Sequence, residues 1–218
     1  MGFGEYLNAH LANLLLDSYQ HASAVIQSII VATVIGVLIG VLVYRGPIGS
    51  AVATAVTSAI LTIPSFALIG VLIPVLGLGV KPTITALVLY ALLPIVRNTI
   101  VGLDNIDPAI TSAAQGIGMN RSRVLTQIEL RLAWPSILAG MRVSTQMLMG
   151  IAAIAAYAKG PGLGVHIFSG LSQIGSANAI NNVAAGTLGI IILALILDAI
   201  YVLIGRLTIS RGISGNDS

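Results

Sequence analysis

Residue types that could bind a metal or a nucleotide occur in the sequence, but none has the spacing that either chemistry requires. The three histidines, His10, His21 and His166, are scattered and lack the spacing of metal ligands. The glycine-rich segment 160–164 neither follows a predicted strand nor opens a dinucleotide-binding unit. The sequence has no P-loop pattern and no cysteine. We therefore predict no metal, no cofactor, no ATP binding and no enzymatic activity in this chain.

Polar residues inside apolar segments are the remaining candidates for function. Asp198 is the only acid well inside such a segment, and an intramembrane carboxylate is a functional candidate by default. Arg206 lies about two helical turns away, so pairing or snorkelling at the helix end is the favoured alternative. Ser144, Thr145 and Gln146 either line a transport path or make hydrogen bonds between helices. Of these three, Ser144 and Gln146 are our candidate path residues.

The composition indicates that these residues belong to a membrane protein. Hydrophobic residues make up 56% of the 218 residues and charged residues 8%, against about 25% charged in an ordinary soluble domain. At about 20 residues per span, the length allows roughly five or six spans. The net charge of +3 then reflects the orientation of the chain in the membrane. The sequence lacks the basic patch with interleaved aromatics that would indicate binding to nucleic acid. We predict an all-α polytopic membrane protein with a five-helix core.

Five apolar segments are long enough to cross the bilayer. We predict spans at about 22–44, 48–76, 83–101, 135–157 and 183–207. Residues 1–21 have leucines at helical spacing, which predicts an interfacial helix lying on the membrane, with a further span as the alternative. Residues 22–207 thus form the membrane domain, with a central loop at 102–136 and a short helix near 165–171. Residues 208–218 form a cytoplasmic tail.

Proline interrupts the second predicted span near its middle. Pro64 removes a backbone donor and kinks the helix. In a membrane, the freed carbonyl groups must be satisfied by protein or by water in a cavity. The kink therefore predicts a wall of the transport path, with Thr62, Pro64 and Ser65 as path residues. Pro74 and Pro94 are further predicted kinks.

The cations place the central loop on the cytoplasmic side. A cation near the bilayer centre costs about 2.5–3.5 kcal/mol on insertion scales, so the arginine-rich segment 107–142 is predicted to be a structured loop. With the N-terminus outside and the C-terminus inside, eight of the ten cations are cytoplasmic, and only Lys81 and Lys159 lie outside. The eight are Arg45, Arg97, Arg121, Arg123, Arg131, Arg142, Arg206 and Arg211.

Two short helices joined by a glycine bend are predicted in the central loop. The first, about 109–115, follows an Asp-Pro start signal and ends at Gly116 and Gly118. The second, about 121–130, follows Asn120 as its N-cap. Its apolar face, by helical spacing, is Val124, Leu125, Ile128 and Leu132.

Two arginines occupy the first turn of the second helix, where the helix dipole opposes cations by about 0.3–1 kcal/mol each. Helix stability therefore does not explain Arg121 and Arg123. Membrane topology and an acidic partner are equally open explanations for Arg123, whereas topology is favoured for Arg121. A bent helix pair resting on a membrane domain would fill a cleft on a soluble partner.

The loop resembles the EAA motif by which permeases of binding-protein-dependent ABC importers bind their ATPase subunits. The matching residues are Ser112-Ala113-Ala114, Gly118 and Ile128-Glu129-Leu130. The family's usual Glu is Ser112 here and its usual Pro is Arg131, so we expect the turn back to the membrane at Trp134-Pro135. The resemblance implies that the residues coupled to the ATPase are Ala113, Ala114, Gly116, Gly118, Arg121, Arg123, Leu125 and Ile128.

Further segments resemble the glycine betaine/carnitine/choline branch of these permeases, although Lys159-Gly160-Pro161 departs from it. They are 62–68, 73–82, 89–99 and 162–164. The resemblance implies a type I importer permease in a prokaryotic inner membrane, carrying quaternary-amine compatible solutes. It also implies a second permease subunit, identical or different, a cytoplasmic ATPase dimer that hydrolyses ATP, and an extracytoplasmic solute-binding protein.

Three other functions compete with this one. The first alternative is the same machine carrying an amino acid such as methionine. A secondary transporter is the alternative from another class, but no inverted repeat is evident and only one acid is buried in a span. An intramembrane enzyme would need paired catalytic residues within the spans, and the sequence shows none.

Overall fold

The computed structural model describes residues 2–209, which form helices and no strand. Arg211 and most of the predicted tail lie outside the described residues. The helices before the central loop are α1 (Phe3–Val43), α2 (Pro47–Thr62), α3 (Ser65–Leu76) and α4 (Val80–Asp104). The later ones are α5 (Pro108–Gly116), α6 (Arg121–Val124), α7 (Leu130–Ile154), α8 (Gly164–Ser172) and α9 (Ala179–Thr208). A π-helical segment, Leu125–Glu129, joins α6 to α7, and a 3₁₀ turn, Ala155–Ala158, follows α7.

The helices confirm the predicted all-α membrane architecture. Within residues 2–209, four helical stretches are long and apolar enough to cross a membrane: α1, α4, α9 and the stretch Arg121–Ala158. A fifth span is obtained if α2 and α3, which meet at an angle of 93°, are counted together. The short helix predicted near 165–171 is α8.

The first helix differs from the prediction, because α1 runs through His21 without a break. The sequence pattern predicts the end of a separate interfacial helix there. The reason for the difference is tertiary packing: Tyr6 and Leu14, in the first half of α1, are buried against Leu163 and Ala185. At about 1.5 Å per residue, its 41 residues extend over roughly 60 Å.

The core of the bundle forms around α4, which packs against α1, α2, α3 and α7. Glycines on the neighbouring helices allow the close approach. A Cβ atom built on Gly36 or Gly40 of α1 would lie 2.7 Å from Ile95 Cγ2 or 2.5 Å from Thr99 Cγ2. The two glycines are therefore packing residues.

The predicted turn at Trp134-Pro135 is wrong, because the helix continues through both residues from α6 to the end of α7. The membrane helix therefore begins inside the predicted loop. Trp134 instead packs at the end of the bundle, where its indole Nε1 donates a hydrogen bond of 2.8 Å to Thr208 Oγ1. The helices α3 and α4 likewise continue through Pro74 and Pro94.

Candidate functional site

The break between α2 and α3 occurs at the predicted proline. Ile63 and Pro64 have extended backbone (ψ of 129° and 132°), and Pro64 occupies the N-cap of α3. The carbonyl of Ile63 accepts a hydrogen bond of 2.7 Å from the hydroxyl of Tyr90 on α4. A side chain of the protein thus satisfies a backbone group at the break, as the apolar surroundings require.

The predicted path residues are not all brought together. Thr62 and Pro64 are exposed and Ser65 is half-buried at the break, while Gln146 is exposed on α7. Ser144 is fully buried, and its hydroxyl donates a hydrogen bond of 3.0 Å to the carbonyl of Ala91 on α4. This contact favours the interhelical role for Ser144 that the sequence left open.

The central loop has the predicted bent helix pair. The Asp107 carboxylate accepts a hydrogen bond of 2.8 Å from the amide of Ala109, and the Asn120 side chain accepts one of 2.9 Å from the amide of Arg123. These bonds cap α5 and α6 at the predicted residues. Gly118, between the two helices, has φ +89°, a conformation that glycine adopts without strain.

The predicted coupling residues divide by exposure. Ala114 is 5% exposed and packs inside the loop, whereas Leu125 and Ile128 are half-buried. The residues on the open surface of the loop are Ala113, Gly116, Gly118, Arg121 and Arg123.

Sequence reasoning missed an apolar residue on the same surface. Ile117, between the two glycines of the bend, is 82% exposed, and Ile110 on α5 is 43% exposed. The position of Ile117 at the bend, between glycines that provide no side-chain cover, was the available signal. Both side chains belong to the part of the loop that lies before the helical stretch Arg121–Ala158.

Glu129, at the end of the π-helical segment, is a buried acid whose role the sequence did not reveal. Only 5% exposed, its carboxylate accepts a hydrogen bond of 2.8 Å from the Tyr44 hydroxyl. Arg45 Nη2 lies 3.2 Å from Oε1 and 3.3 Å from Oε2 of the same carboxylate. The Arg45 guanidinium also lies 5.1 Å from the centre of the Tyr44 ring. Burial, together with the hydrogen bond to Glu129, raises the pKa of Tyr44.

This contact connects two parts of the chain that are distant in sequence. Tyr44 and Arg45 form the turn between α1 and α2, and Glu129 directly precedes α7. The central loop is therefore attached to the first helical hairpin by a charged group within the protein. The separation of 85 residues between Tyr44 and Glu129 explains why local spacing gave no signal.

The expected pairing of Asp198 with Arg206 is wrong, because Asp198 pairs with Arg142 on α7. Arg142 Nε and Nη2 each lie 2.6 Å from one oxygen of the Asp198 carboxylate, a bidentate arrangement. Gln146 Nε2 lies 3.4 Å from the same carboxylate and 3.1 Å from the carbonyl of Ala194. Arg142 thus lies within the membrane helix α7 and not in the predicted loop.

Comparison with known proteins gives a consistent result. A family model described as "Binding-protein-dependent transport system inner membrane component" matches residues 32–210. The choline transport system permease protein of Bacillus subtilis (strain 168) is 33% identical over 199 residues, which are 91% of this chain and 89% of the relative. The glycine betaine/carnitine/choline transport system permease protein of the same organism is 31% identical over 210 residues, covering 96% and 95%.

A solved structure is similar over nearly the whole chain. It is the MetNI methionine ABC transporter in inward-facing conformations, with a TM-score of 0.77 and 21% sequence identity. The similarity covers 90% of this chain and 96% of that chain. At this identity, it shows a shared fold only. The residues matched by the family model, 32–210, include the α2–α3 break and the central loop.

Proposed function

Since this chain belongs to the family of binding-protein-dependent transport system inner membrane components, we propose that it is the permease of an ATP-driven importer for quaternary-amine compatible solutes. It is a multi-pass membrane protein. The observation that carries the proposal is the bent helix pair, which presents apolar and basic side chains outside the membrane helices. The names of the relatives, which are permeases for choline, carnitine or glycine betaine, support the solute class.

The central loop is the site at which the ATPase binds in this proposal. Its bend carries the exposed Ile117 as an apolar tip, and the exposed Arg121 and Arg123 follow in α6. Apolar contact supplies affinity, and the two arginines pair with acidic residues of the partner. Topology also accounts for arginines on this side, so the apolar tip is the stronger argument for a protein partner.

Movement of the loop reaches the membrane helices through Glu129. A displacement of α6 acts on α7 through the continuous helix, and on the α1–α2 turn through Tyr44 and Arg45. The α2–α3 break, with Thr62, Pro64 and Ser65, provides a position at which helices change their mutual angle. Such a change would open a path toward the outside when the ATPase subunits close on ATP.

The proposal includes further components that this chain does not contain. A second permease, identical or different, completes the path, and an extracytoplasmic binding protein delivers the solute. The N-terminus lies outside and the C-terminus lies in the cytoplasm of a prokaryotic cell, as the distribution of cations favours.

Permeation of an amino acid is the second candidate function. A methionine transporter shares the fold, but at 21% identity the likeness carries no argument about the solute, and the names of the sequence relatives favour quaternary amines. The test is purification of the native complex, identification of every subunit, and uptake by proteoliposomes of glycine betaine, choline or methionine. ATP-dependent uptake of methionine alone would replace the proposed solute class.

A further inference from the structure

Among the described residues, one face of α7 is largely exposed, although Arg142 and Gln146 on it contact α9. The opposite face packs against α4 and α1, and Leu148 and Met149 are buried there. The uncovered positions recur every three or four residues, as one helical face requires. They are Ala139, Arg142, Val143, Gln146 and Gly150.

The ion pair of Arg142 and Asp198 lies on this face and remains accessible. The side chains are 47% and 30% exposed, respectively. Val143 is 56% exposed beside them, so the pair is not covered by apolar neighbours on that side. Both charges are therefore presented to whatever fills the space next to α7 and α9.

The position of the pair along the helices places it deep in the membrane. The Trp134–Thr208 hydrogen bond marks the cytoplasmic end of α7 and α9, next to Arg131 and Arg206. Arg142 lies eight residues beyond Trp134, or about 12 Å at 1.5 Å per residue. The hydrocarbon layer is about 30 Å thick, so the pair is near its middle.

Charged side chains at this depth almost always face protein or a water-filled cavity instead of lipid. In the assembled transporter, the uncovered face of α7 therefore borders a second subunit or an aqueous space. Together with the adjoining part of α9, it presents one cation, Arg142, and one anion, Asp198. A zwitterionic solute carries the same two charges, so it can replace either partner of the pair without leaving a charge unpaired.

We propose, on the basis of the proposed function, that Arg142 binds the carboxylate of a passing solute while Asp198 receives its cationic end. The ion pair separates while each side chain binds one end of the solute, and it forms again after the solute leaves. Solutes with a carboxylate, such as glycine betaine, use both side chains. Choline has the quaternary ammonium group but no carboxylate, so it uses Asp198 alone.

The test compares glycine betaine with choline in proteoliposomes containing the complete complex. The variant R142Q removes the cation that binds the carboxylate. We expect the ratio of glycine betaine uptake to choline uptake to fall about tenfold, as for the loss of a charge-assisted hydrogen bond. The matched control is R206Q, an exposed arginine of α9 without an ion pair among the described residues, which should leave the ratio unchanged.

A second variant covers the case in which R142Q does not assemble. R142K keeps the positive charge but loses the bidentate geometry. It should raise the KM for glycine betaine and leave the KM for choline unchanged. If the wild-type complex carries glycine betaine alone, this KM is the deciding measurement.

Several results would overturn the inference. An unchanged ratio in assembled R142Q, or unchanged KM values in R142K, would show that the pair only holds α7 to α9. Loss of the second permease from purified R142Q would assign the pair to a subunit contact. A wild-type complex that carries choline but no carboxylate-bearing solute would contradict the role of Arg142. A wild-type complex that carries neither choline nor a carboxylate-bearing quaternary amine would refute the proposed function itself, and this inference with it.

Discussion

Tyr44 and Glu129, 85 positions apart, are joined by a hydrogen bond of 2.8 Å between the phenol and a carboxylate that is buried. The bond attaches the α1–α2 turn to the residue before α7. Because Arg45 contacts the same carboxylate, the turn holds Glu129 through two side chains. The central loop therefore cannot shift relative to the first hairpin without changing this contact.

The first prediction concerns this contact. Glu129→Gln removes the negative charge that Arg45 and Tyr44 share, and Tyr44→Phe removes one hydrogen bond, worth about 0.5–1.5 kcal/mol. We expect complexes that contain either variant to carry less solute for each ATP that the ATPase subunits hydrolyse. Glu129→Gln should have the larger effect. Tyr19→Phe, at a tyrosine that is 71% exposed, is the control. A normal uptake-to-ATPase ratio in Glu129→Gln would refute the connecting role.

The second prediction concerns the glycine bend. Proline fixes φ near −65°, whereas Gly118 has φ +89°, so Gly118→Pro forces the loop into another shape. The permease should insert in the membrane but purify without its ATPase. Gly175→Pro is a matched control, because Gly175 has φ +96° in the turn before α9, and neither glycine has other atoms within 4 Å of an added Cβ. Retention of the ATPase by Gly118→Pro would show that the bend is not the binding site.

A change inside the loop gives an independent, third prediction. Ala114 is 5% exposed, so Ala114→Asp buries a charge within the helix pair. The variant should also lose the ATPase, although the membrane helices remain folded. Circular dichroism of the purified permease checks the helices, and co-purification checks the complex. An intact complex would mean that the packing of α5 is not required for binding.

The fourth prediction concerns the source of energy. The sequence has no P-loop, and Asp198 in α9 is paired with Arg142. Uptake should therefore require ATP on the cytoplasmic side and continue when an uncoupler collapses the proton gradient at constant ATP. Uptake that stops under these conditions would favour a secondary transporter.

The fifth prediction concerns the α2–α3 break. The chain has no cysteine, so the single thiol of a Ser65→Cys variant can report on accessibility at the break. It should react with a small water-soluble reagent, at a rate that changes when the ATPase binds ATP. Ser144→Cys is the control, since Ser144 is fully buried and its replacement should not react. Absence of labelling of the Ser65→Cys variant in every nucleotide state would show that the break only serves packing.

A companion variant tests whether the break must persist. Pro64 occupies the N-cap of α3, and the Tyr90 hydroxyl satisfies the carbonyl of Ile63. Pro64→Ala restores a backbone donor, and Tyr90→Phe removes the competing partner. The double variant should favour a straight helix and reduce transport, whereas Tyr90→Phe alone should have a smaller effect. Normal uptake by the double variant would argue against a moving break.

Local signals in the sequence predicted much of the fold. Pro64 marked the break, and Asp107 and Asn120 marked the starts of the helices in the central loop, because each acts on its own backbone or on amides within three residues. The length and apolar character of the spans likewise depend on composition alone. Such features need no knowledge of the partner helix.

Features that depend on distant contacts were not predictable. The continuity of α1 depends on packing against Leu163 and α9, and the partner of Asp198 lies 56 positions away on another helix. The predicted partner, Arg206, was nearer in sequence. The sequence did not show that Ser144 is buried whereas Gln146 is exposed, and it did not show that Glu129 is buried. Both outcomes depend on which face a helix turns toward its neighbours.

The π-helical segment Leu125–Glu129 has a consequence for the angle at which the loop leaves the membrane. A π turn contains one residue more than an α turn, and each α-helical residue advances by about 100° around the axis. Conversion of the segment to α-helix at constant length would therefore rotate Arg121 and the bend by about that angle relative to α7, whereas conversion with deletion of one residue would leave their orientation nearly unchanged. The π turn therefore takes up one extra residue while the central loop keeps its rotational register with the membrane helices.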